Sequence, residues 1–198
     1  MIGGGATGLH PAFQHRTYLF RRKVFKLLGG AFHIYDEAGN LVFYGEQKAF
    51  KLREDMRVYA DEGKKQELLV IKTPQILDIS ATYNVTDATT GEPVGALKRK
   101  GLKSFIIDEW KFLGTDGSEI GVLRESSFIM ALLSRYFNLI PQTYKITAGN
   151  TEVAMIKQAF NPFVLKYTMT ISQPAPLLDP RLLIAAGVLL CIIERRQQ

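Results

Sequence analysis

The chain has 198 residues, 46% hydrophobic and 22% charged, enough to bury a sizeable core as one large or two small domains. That balance is ordinary for a globular protein and excludes a low-complexity or natively unfolded chain. A net charge of +6 and a pI near 9.4 point toward an anionic partner without choosing between nucleic acid and lipid headgroups, and a merely basic surface gives the same numbers.

Cys191 is the single cysteine, so no intramolecular disulfide can form, which fits a reducing compartment. The N-terminus lacks a basic and then apolar signal pattern, and Ile2 stands where myristoylation needs glycine. Cytoplasm is the expected compartment, with peripheral association at a membrane compatible with it.

Residues 1–15 are rich in glycine and small side chains and are expected to form a disordered tail before a single domain over 16–198. Gly3, Gly5 and Gly8 satisfy a GxGxxG spacing, but no strand precedes them to aim such a turn at a pyrophosphate. From Tyr18 onward the dominant signal is the hairpin. Residues Ile34–Phe43, Val85–Gly95, Phe112–Val122 and Ile146–Val153 each read as strand, glycine-bearing turn, strand, with Asp116-Gly117 the strongest turn signal. Further strands are predicted at Phe50–Leu52, Met56–Ala60, Leu68–Lys72, Phe105–Ile107 and Val164–Ile171. About a dozen short strands without a βαβ rhythm predict a mostly antiparallel sheet, closed or nearly closed to remove its edges. One short helix is predicted near 127–138, between the caps Ser126-Ser127 and the stop at Pro141.

The C-terminal block Leu182–Ile193 has no charged or hydrogen-bonding polar side chain, and Asp179-Pro180 supplies a helix start. A helix apolar on every face must be surrounded by protein or by lipid. Over about 180–194 it rises roughly 22 Å at about 1.5 Å per residue. A bilayer core of about 30 Å asks for about 20 apolar residues, so a buried core helix is favoured over a tail anchor or a surface-lying segment.

No catalytic signature occurs: HExxH, GxSxG, P-loop and CxxC spacings are missing, and His33 reads as a structural strand residue. Acidic pairs such as Glu54-Asp55, Asp61-Glu62 and Asp108-Glu109 are adjacent in sequence, which on strands separates them. Neither an enzyme nor a metal or cofactor site is expected. Nucleic acid is disfavoured, since no helix-turn-helix, RNP, KH or zinc-finger pattern appears.

Two basic clusters remain as candidate sites for an anionic headgroup: Arg21, Arg22 and Lys23 with Arg16 and Lys26 nearby, and Lys98, Arg99 and Lys100 with Lys103. Successive strand residues alternate faces, so in Arg21-Arg22-Lys23 at least one charge must point inward unless the segment is irregular.

The repeated hairpins, the stretch Gly95–Lys100 and the apolar block Leu178–Ile193 together resemble the tubby C-terminal-like superfamily. Within it the chain is most similar to LURP-one-related proteins and their relatives, the phospholipid scramblases. The resemblance implies a mainly β fold: a closed antiparallel barrel of about twelve strands with the C-terminal helix threaded through it. It also implies a non-enzymatic binding module for anionic phospholipid surfaces. A protein-interaction scaffold, and scramblase-like lipid movement, are the alternatives. The proposed scramblase calcium loop does not carry over, because Gln173–Asp179 holds one carboxylate where Ca²⁺ wants about six to eight oxygen ligands.

Overall fold

The computed structural model describes residues 8–23, 30–47, 53–76, 81–100, 109–126, 141–159, 164–172 and 178–193. Twelve strands run in chain order: β1 (Thr17–Lys23), β2 (Gly30–Tyr35), β3 (Leu41–Gln47), β4 (Arg53–Tyr59), β5 (Glu67–Ile76), β6 (Thr82–Asp87), β7 (Pro93–Arg99), β8 (Glu109–Leu113), β9 (Glu119–Glu125), β10 (Thr143–Ala148), β11 (Thr151–Ala159) and β12 (Val164–Ile171). Each pairs antiparallel with its sequence neighbours, and β1 closes the ring on β12 from Thr17 opposite Thr170 to Lys23 opposite Val164. The expected closed barrel is therefore present. All four expected hairpins are strand pairs, and β12 spans Val164–Ile171 as read from its alternation. The predicted segments Phe50–Leu52 and Phe105–Ile107 and the helix near 127–138 lie outside the described residues.

A barrel of twelve strands has a lumen that must be filled. Helix α1 (Pro180–Ile193) fills it. Every residue from Leu182 to Ile192 is buried, on all faces of the helix, against inward side chains such as Phe20, Phe112 and Met169. Cys191 is among them; burial pushes its thiol up to about 12, so it stays protonated and acts as a small apolar side chain.

The helix start is fixed by its own sequence. Asp179 caps it: its Oδ1 accepts the Arg181 N–H at 2.8 Å, and Pro180 occupies the first turn, where its missing N–H costs nothing. Arg181 then reaches Asp87 at the end of β6, with Nη1 to Oδ2 at 2.6 Å, pinning the entry of α1 to the barrel wall. Burial alone would raise Asp87. Hydrogen bonds from the Thr89 hydroxyl and Arg181 outweigh it and hold the carboxyl below its ordinary range.

The chain before β1 is also docked. Residues 11–13, expected in a disordered tail, form a single 3-10 turn whose Ala12 and Phe13 are buried. Phe13 packs on Phe43 at 4.8 Å between ring centroids, and the Tyr18 hydroxyl donates to the Ala12 carbonyl at 3.0 Å. Ala12 and Phe13, with partly buried Leu9 packed beside them on the core, give this segment a reason to fold back.

Gly187 makes the fit of α1 possible, because a Cβ there would collide with the buried ring of Phe20. Ordinarily Gly→Ala in a helix gains about 1 kcal/mol of propensity. Here overpacking of about 1–3 kcal/mol opposes it. Gly187→Ala should therefore lower the urea midpoint, and Phe20→Leu in the same chain should recover part of the loss. A stabilised single variant would show that Phe20 yields freely.

Candidate anion-binding surface

The barrel has two distinct ends. The turns joining β2–β3, β4–β5, β6–β7, β8–β9 and β10–β11 all lie at the end where α1 enters, near Asp87 and Leu178. At the opposite end β1, β7 and β11 finish and α1 terminates beside Arg22.

Arg22 is the inward charge that alternation required. It is 9% exposed, and its Nη1 donates to the carbonyl of Cys191 at 3.0 Å and to that of Ile192 at 3.4 Å. These are carbonyls of the last helical turn, which lack partners within the helix and carry the negative end of its dipole. Arg22 is thus a cap supplied from the wall of the barrel. Its neighbour Arg21 points outward and is exposed, with its guanidinium 5.6 Å from the ring centre of Tyr35. Lys23 ends β1 opposite Val164, and Lys26 lies outside the described residues.

The second cluster divides in the same way. Lys98 is exposed on the outer face, opposite Thr82 and Lys111. Arg99 is half-buried, 5.7 Å from the ring centre of Trp110, the residue opposite it in register. Lys100 pairs with Glu109 at 3.1 Å, and Lys103 lies outside the described residues. Glu109 also accepts from Arg124 at 2.6 Å. Burial would raise its carboxyl, but Arg124 and Lys100 offset this and hold it low. Moreover β1 and β7 stand six strands apart in either direction round the ring. The two triplets sit on opposite walls and do not form one pocket.

What strand pairing does bring together is a set that the linear sequence scatters. Arg21 lies directly opposite Lys166 on β12. Lys166 pairs with Ala159 on β11, which places Lys157 on the diagonal, roughly 7–8 Å away between backbones. Like charges opposite one another on a sheet destabilise it. Arg21, Lys157, Lys166 and Lys98 have no carboxylate partner among the described residues. Several other outer-face cations are compensated, Arg57 by Asp55 and Glu67, both at 2.7 Å, Lys64 by Glu46 at 2.6 Å, and Lys145 by Glu152 at 2.9 Å, whereas exposed Arg16 and Lys65, away from this cluster, also lack a carboxylate partner among the described residues. The uncompensated cations are the part of the surface with capacity for an external anion.

A family model described as LURP-one-related matches residues 16–191, from just before β1 to Cys191 in α1. The chain belongs to the LURP-one-related family. The matched span takes in both the barrel and nearly all of the helix, so in this LURP-one-related chain α1 is part of the family's domain. No curated protein matches the chain. Among the described residues no helix is long and apolar enough to cross a membrane, and no three metal-ligating side chains converge. Lys157 and Lys166 were not singled out from the sequence. Their outward alternation along β11 and β12 was readable, but the pairing of β12 with β1 was not.

Proposed function

We propose that this LURP-one-related barrel is a non-enzymatic binding module that associates peripherally with anionic phospholipid surfaces. The observation that carries this reading is the juxtaposition of Arg21, Lys166 and Lys157 without a carboxylate partner among the described residues, on a barrel whose interior is already occupied by α1. With the lumen filled, binding falls to the outer surface, and on the β1–β12–β11 wall the charge without a partner among the described residues is positive. A basic residue close to an anionic membrane contributes about 1 kcal/mol, so a handful support reversible rather than permanent attachment. Scramblase-like lipid movement would require α1 to enter the bilayer, and the burial of Leu182–Ile192 inside the barrel weighs against it. A protein scaffold without a lipid role predicts indifference to vesicle charge.

Co-sedimentation separates these readings. The full chain should pellet with vesicles containing phosphatidylserine at low salt, stay in solution with pure phosphatidylcholine, and lose the preference at about 1 M salt, where the screening length falls to about 3 Å. Equal behaviour with both vesicles at low salt removes the lipid reading.

A further inference from the structure

Among the described residues charge is distributed unevenly along the barrel axis. Around the end where α1 terminates, Arg21, Lys98, Arg124, Lys145, Lys157 and Lys166 each lie one or two residues from the end of their strand. They form a rim on six of the twelve strands. Arg124 pairs with Glu109, and Lys145 reaches toward the β10–β11 turn to pair with Glu152; the remaining four have no carboxylate partner among the described residues, Arg21, Lys98 and Lys157 being exposed and Lys166 half-buried. On the β3–β4 arc the strands are staggered: Glu46, opposite Arg57 on β4, reaches Lys64 of the β4–β5 turn, and Asp55 pairs with Arg57 and Lys72.

The other end has the reverse sign. Its turns carry Asp36 and Glu37, Asp61 and Glu62, Glu92 and Asp116, against only Lys64 and Lys65. Two of these carboxylates are lowered below their ordinary range by hydrogen bonds within their own turns. Asp36 is lowered first by the Asn40 side chain and Asp116 first by the Ser118 hydroxyl.

We infer that the barrel docks end-on, with the rim around the C-terminus of α1 against the anionic lipid surface and the acidic turn end directed away from it. This rests on the proposed lipid partner and adds its orientation. Arg21 and Lys98 are on strands six apart, on opposite walls. They can reach one partner together only if that partner spans the end of the barrel, which suits a laterally extended anionic plane better than a narrow acidic peptide. Repulsion of the turn carboxylates from the same plane selects the same pose.

Three single charge reversals test it on the full chain: Lys157→Glu and Lys98→Glu at the rim, on opposite walls, and Lys65→Glu in the β4–β5 turn. All three change net charge equally and sit at exposed positions. End-on docking expects the first two each to weaken partition onto phosphatidylserine vesicles at least about fivefold, and Lys65→Glu to change it by less than about twofold. Partition weakened by Lys157→Glu but not by Lys98→Glu would mean side-on docking through β1, β12 and β11, overturning the orientation while leaving lipid binding intact. Equal weakening by all three would reduce the effect to net charge and also overturn it. A wild-type chain indifferent to vesicle charge defeats the lipid reading itself. Circular dichroism of each variant checks the fold, and Lys98→Gln and Lys157→Gln repeat the comparison with a smaller perturbation.

Discussion

A chain ended after Leu178 is expected not to reach the native fold, giving no cooperative urea transition and accumulating as aggregate. The truncation removes α1 and so leaves the barrel lined by apolar side chains with nothing to pack on. Within Leu182–Ile192 the large side chains include Leu182, Leu183, Ile184, Val188, Leu189 and Leu190, none more than 3% exposed. Burying a side chain of this size is worth about 1.5–3 kcal/mol. Six of them together match or exceed the whole net stability of an ordinary domain, about 5–15 kcal/mol. Rings such as Phe20, Phe112 and Tyr167, each fully buried against this interior, would face water in addition. The empty lumen could not simply collapse, since the twelve-strand hydrogen-bonded ring fixes its circumference. A truncated chain that is folded and better behaved than the full length would mean that α1 is an appended anchor. Far-ultraviolet dichroism and a urea titration of the two chains decide the matter.

The elements of this barrel were legible where the physics is local. Glycine turns with their flanking β-branched and aromatic runs located four hairpins, and Gly117, with φ of +80°, holds the left-handed conformation that its place after Asp116 implied. The start of α1 was equally local, because Asp179 and Pro180 act within one turn of the helix. Closure was different. Nothing near Thr17 or Thr170 in sequence states that they pair, since that contact joins the two ends of the sheet. The candidate surface inherits the same limit. The triplets Arg21-Arg22-Lys23 and Lys98-Arg99-Lys100 look like patches because they are contiguous, yet alternation sends their central arginines inward and closure puts the triplets on opposite walls. Lys157 and Lys166 look isolated for the complementary reason, being joined to Arg21 only through strand pairing. Alternation alone required an inward charge in the first triplet; which partner it found depended on where α1 ends.

Arg21 and Arg22 are consequently expected to separate stability from binding. Arg22→Met keeps much of the length of the side chain and removes its donors, leaving the Cys191 and Ile192 carbonyls unpaired inside the barrel. A hydrogen bond from a charged group contributes about 1.5–3 kcal/mol, and a favourable cation at a partly buried helix C-terminus up to about 2 kcal/mol, in part the same interaction. The expected loss is about 2–3 kcal/mol, read as a fall in the urea midpoint, with Arg22→Ala worse because it also leaves a void. Arg22→Lys retains the charge and should recover part of the loss, since an ammonium on a shorter stem reaches the same carbonyls less well. There is an opposing term: a guanidinium at 9% exposure has given up most of its hydration, and apolar replacement of buried charges is sometimes neutral. That compensation requires both partners to become apolar, and backbone carbonyls cannot, so the loss should prevail. Arg21→Gln, one residue away but outward, should leave the midpoint within about 0.5 kcal/mol of wild type while weakening partition onto phosphatidylserine vesicles. The folded fraction of Arg22→Met should bind those vesicles as wild type does, because its charge never faces them. A stable Arg22→Met that had lost vesicle binding would reverse both assignments and place the anion site at the mouth of the barrel, beside the end of α1.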